Sequence, residues 1–75
     1  MRKTFYNALT SYFNGHIQKH LANIKIHTDS SVGVAEHSDH LETIEKELSI
    51  IAEYEDKLGV LKKYFGKGEK EVLNG

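Results

Sequence analysis

The sequence predicts an all-α fold, a two-helix αα-hairpin, and three observations lead there. Apolar residues recur at steps of three and four along residues 4–28, they do so again along residues 39–65, and no proline interrupts either stretch. The expected layout is a hairpin over residues 1–65, with helices at about 4–28 and 39–65, a loop at about 29–38, and a flexible tail over 66–75.

In the first helix, Phe5, Leu9, Tyr12, Phe13, Ile17, Leu21 and Ile24 form one broad stripe on a 3.6-residue period. Thr4 or Asn7 suits the cap, since a side-chain oxygen there can accept a backbone N–H that the first turn leaves free. The weak point is Asn14-Gly15, because a glycine inside a helix costs about 1 kcal/mol relative to alanine. The stripe keeps its phase from Phe13 to Ile17, so one continuous helix is expected across Gly15. A competing reading pairs the alternating run Asn23–Thr28 with Val32–Ala35 as a short β-hairpin within residues 23–35. An isolated two-stranded ribbon is marginal in water, which favours the helix.

The run GVAEHSDHLE, Gly33–Glu42, crowds His37 and His40 among Glu36, Asp39 and Glu42. Capping accounts for the acids. With Asp39 as N-cap, Glu42 falls at the third helical position and completes a D-x-x-E box, worth about 1 kcal/mol, with Ser38 an almost equal candidate for the cap.

The second helix carries Leu41, Ile44, Leu48, Ile51, Tyr54, Leu58, Leu61 and Phe65, a spacing close to 3.5 residues that favours a left-handed supercoil against other helices. Asp39, Glu42, Glu45 and Glu47 lie toward its start and Lys57, Lys62 and Lys63 toward its end, as the helix dipole prefers. Gly66 is placed to stop it.

A chain of 75 residues buries a limited fraction of its surface, and without cysteine neither a disulfide nor a thiolate zinc site can reinforce it. Arg2, Lys3, Lys19 and Lys25 are the only charged residues before position 29, whereas the remainder holds all eleven acids against six lysines. Such complementary halves favour packing one against the other. With seven aromatic residues besides, there is more apolar surface than two helices can cover, so self-association into a helical bundle is expected. No apolar run approaches the roughly 20 residues of a membrane span, and the start MRKTFYNALTSYF lacks the apolar core of a secretory signal, which points to an intracellular protein.

Chemistry is sparse. His16 and His20 stand four residues apart, a metal-binding spacing, but the glutamate of an HExxH motif is missing, and the simpler reading pairs them with Glu45 or Glu47 across the hairpin. His27, His37 and His40 are the remaining metal candidates, since a hairpin folds His27 back toward the other two, although histidines in an exposed loop are more often solvated. No nucleophile elbow and no phosphate-cradling glycine pattern is present, so neither an enzyme nor a cofactor is expected. Four basic residues over the first helix are a thin footprint for nucleic acid, and its aromatics fall on the predicted core stripe.

The run VGVAEHSDHLETIEKEL, with HIQKHLANI upstream and KYF downstream, resembles a group of small proteins of tailed bacteriophages, including T4-like and cyanobacterial phages. The resemblance covers most of residues 12–65 and rests on helix and turn patterns. It implies a phage protein made in the host bacterial cytoplasm, either an adaptor binding a host protein or an assembly or virion component. It carries no catalytic or binding residues with it.

Overall fold

The computed structural model describes residues 1–29 and 37–66. Lys3–Asp29 forms α1 and His37–Phe65 forms α2, each about 40 Å long at 1.5 Å per residue, and the two pack antiparallel as an αα-hairpin. The described residues contain no strand.

Helix α1 runs through Gly15 unbroken, and a Cβ built there would meet nothing within 4 Å. Residues 23–29 belong to α1, which removes the first strand of the β-hairpin reading; Val32–Ala35 lie outside the described residues. The helix prevails because Asn23, Ile24 and His27 continue its packed face toward α2.

Helix α2 begins at His37, earlier than the capping-box reading requires. Ser38 and Asp39 therefore lie in its first turn, one and two residues past the start of α2. Asp39 places a negative charge near the free N–H groups at the positive end of the dipole. At the other end, the Gly66 N–H donates to the Lys62 carbonyl at 2.9 Å. A Cβ at Gly66 would run into that same carbonyl oxygen, so the chain leaves the helix through a position only glycine fits. The tail reading over residues 67–75 lies outside the described residues.

The seam between the helices has a seven-residue register. Phe13 meets Tyr54, His20 meets Glu47 and His27 meets His40, each step of seven along α1 matching a step of seven back along α2. Among the described residues Ile17, Ile51 and Leu61 are the buried hydrophobics, and Leu9, Phe13, Ile24, Ile44, Tyr54 and Leu58 are half-buried. Six residues of the predicted core stripes stand outside this seam: Phe5, Tyr12, Leu21, Leu41, Leu48 and Phe65 are exposed, from 44% for Leu21 and Phe65 to 68% for Leu41. Two helices in one layer share only a narrow strip, and polar residues hold much of it: His16, His20, Asn23, His27, His40, Thr43 and Glu47 are all half-buried.

Candidate functional site

Two features of the described hairpin stand apart: the polar half of the seam near the loop, and the apolar side chains that the seam leaves outside.

In the seam, His20 and Glu47 face each other from opposite helices and join through His20 Nδ1 and a carboxylate oxygen. The amide of Asn23 donates to the same oxygen at 3.2 Å. The hydrogen bond with His20 holds the Glu47 carboxyl below the ordinary glutamate range; partial burial opposes it, while Asn23 and the charges on His20 and His27 act in the same direction. His16, one turn before His20, lies flat on Tyr54 with ring centroids 4.4 Å apart and meets the edge of Tyr12 at 4.6 Å. The i, i+4 pair is thus committed to packing and to an acid, its rings stacked 6.3 Å apart.

Nearest the loop, His27 Nδ1 and His40 Nδ1 lie 3.0 Å apart, with ring planes at 69°. One ring must donate and the other accept, because an imidazolium has no acceptor. His37 opens α2, one turn before His40, and its side chain lies outside the described residues. Among the described residues no group of three or more His, Asp or Glu side chains converges.

On the outside, Leu41, Leu48, Ala52 and Gly59 follow one another along α2 at steps of seven, four and seven, which places them in one row. Beside the end of that row runs a shallow groove lined by Asn14, Ile17, Gln18 and Leu21 of α1 and by Glu55, Leu58, Gly59 and Lys62 of α2. A Cβ at Gly59 would meet nothing within 4 Å, so the hairpin itself gives no packing reason for a glycine there. A second groove, around Phe13, Val60 and Phe65, opens toward the free end of the hairpin. The charged residues of α1 before Asp29 are all basic and exposed, and on its flank Phe5 and Tyr12 are 62% and 59% exposed.

No protein-family model matches the chain, and neither a curated protein nor a solved structure matches it. Among the described residues no helix is long and apolar enough to cross a membrane.

The sequence pairs His16 and His20 with Glu45 or Glu47 across the hairpin and brings His27 toward His37 and His40; the structure joins His20 to Glu47 and His27 to His40, and sets His16 against Tyr54 instead of an acid. The missed signal is a seven-residue spacing that ignores polarity: Tyr6, Phe13, His20 and His27 on α1, and His40, Glu47, Tyr54 and Leu61 on α2.

Proposed function

We propose that this chain is a non-enzymatic protein-contact module that self-associates, most simply as a dimeric four-helix bundle. The observation that carries the reading is the inversion of burial. Among the described residues only Ile17, Ile51 and Leu61 are buried hydrophobics, while Phe5, Tyr12, Ile26, Leu41, Leu48 and Tyr64 are each more than half exposed. Large exposed apolar surface on a small soluble chain marks a contact site. The row from Leu41 to Gly59 supplies a face for a second hairpin. Helix α1 is basic and α2 predominantly acidic, so packing α1 of one copy against α2 of the next joins opposite charges.

Gly59 supports the same reading. It costs about 1 kcal/mol in mid-helix, and a close-packed neighbour on its row would give it a purpose. The histidines and Glu47 of the seam hold the two helices in register, which leaves the outer faces for partners. The resemblance carried by VGVAEHSDHLETIEKEL supports setting the module in a tailed phage, as an adaptor for a host bacterial protein or as an assembly factor. Sedimentation of the purified chain tests self-association: a concentration-dependent dimer is expected, and a monomer throughout the micromolar range refutes it. Mass spectrometry of purified particles separates a virion component, present there, from an intracellular adaptor, absent there.

The exposure of Phe5 and Tyr12 beside Arg2, Lys3 and Lys19 favours a second reading, a small nucleic-acid-associated regulator that stacks bases on those rings. A mobility shift with single-stranded oligonucleotides at low salt, weakened by Tyr12→Ala, is its expected outcome. No shift at low salt removes it.

A further inference from the structure

The His27–His40 pair is unlike the other polar contacts of the seam. His20 is matched by an acid and His16 by aromatic faces, but His27 is matched by another imidazole, half-buried, from the opposite helix. Two histidines facing each other supply one hydrogen bond and no charge complementarity. When both rings are neutral and carry their proton on Nε2, each Nδ1 presents a lone pair on the side facing the other helix. The nitrogens stand 3.0 Å apart. Two imidazoles on one tetrahedral ion, with bonds of about 2.0–2.1 Å, hold their nitrogens roughly 3.3 Å apart. Widening the gap by a few tenths of an ångström and turning the rings so that both lone pairs converge would admit an ion.

We propose that His27 and His40 form a two-imidazole clamp for a borderline divalent transition-metal ion of the zinc, nickel or copper class, which prefers imidazole nitrogen. On binding, the donor ring's proton passes from Nδ1 to its own Nε2, both Nδ1 atoms coordinate the ion, and the ion ties α1 to α2 at the loop end of the seam. Two protein ligands leave its other positions to water. The stacked pair His16 and His20 does not compete, because Glu47 engages His20 and Tyr54 covers His16.

The test is calorimetric titration of the full chain with Zn²⁺, run in parallel with imidazole nitrogen shifts by NMR on the parent protein. Expected are one saturable ion per chain, shifts confined to His27 and His40, a rise in Tm with the ion present, and loss of binding in both His27→Gln and His40→Gln. Binding should persist in His16→Gln and His20→Gln, with far-UV circular dichroism confirming that each variant is helical. If the parent shows no saturable binding and no imidazole shift, the proposal is overturned. It is overturned equally if binding survives both His27→Gln and His40→Gln, or if the shifts fall on His16 and His20 instead.

Discussion

Leu48 offers a direct perturbation of the outer face. It sits in the row with Leu41, Ala52 and Gly59, and 54% of it remains exposed in the hairpin. Fully burying a leucine side chain contributes about 1.5–3 kcal/mol, so covering the exposed half contributes about 0.8–1.5 kcal/mol per copy. A two-fold dimer uses the residue twice, which gives about 1.5–3 kcal/mol per dimer and a roughly 10- to 150-fold change in dissociation constant. Leu48→Gln keeps nearly the same helix propensity. The hairpin should accordingly stay helical while the dimer weakens by that factor. Sedimentation equilibrium of parent and variant measures the two constants, with circular dichroism as the check on the helices. A variant that dimerises as tightly as the parent, within about twofold, refutes the assignment of this row to the interface.

Gly59→Ala should weaken the dimer, because the added methyl group stands where a second copy approaches, whereas Gly15→Ala, equally free of neighbours within 4 Å, should raise stability by about 1 kcal/mol in urea denaturation. Gly66→Ala should destabilise the end of α2 by about 1 kcal/mol or more, since its Cβ meets the Lys62 carbonyl oxygen; an unchanged urea midpoint would contradict that contact. Glu47 gives the hairpin a pH dependence of known sign. Its folded carboxyl titrates below the ordinary range, so its contribution is complete above the unfolded value of about 4.3 and is lost as pH falls through the lower folded value. Glu47→Gln should remove that part of the acid-side decline in Tm, and identical profiles for variant and parent would contradict the pairing with His20.

The two helices and their antiparallel pairing are legible in the sequence because apolar periodicity and the lack of proline are local properties. Gly15 shows the reach of such reasoning: the phase of the stripe across it outweighed its low propensity, and α1 is unbroken there. The division of the stripe between seam and surface was not legible. Phe5, Tyr12 and Leu21 share a broad apolar arc with Phe13 and Ile17, and the strip that α2 covers is set by the register of the partner helix rather than by α1 alone. That register is seen in Phe13–Tyr54, His20–Glu47 and His27–His40, contacts between residues far apart in the chain. α2 starts at His37, within two residues of the expected start at about 39, where Ser38, Asp39 and Glu42 suit the first turn as well as the cap.

The proposed self-association draws on the surface that a single hairpin leaves uncovered, and the solution mass of the parent chain tests it most directly. Light scattering behind gel filtration at micromolar concentration should give about 17 kDa, twice the 8.5 kDa of one chain, falling toward the monomer on dilution. A mass of 8.5 kDa at every concentration would contradict it.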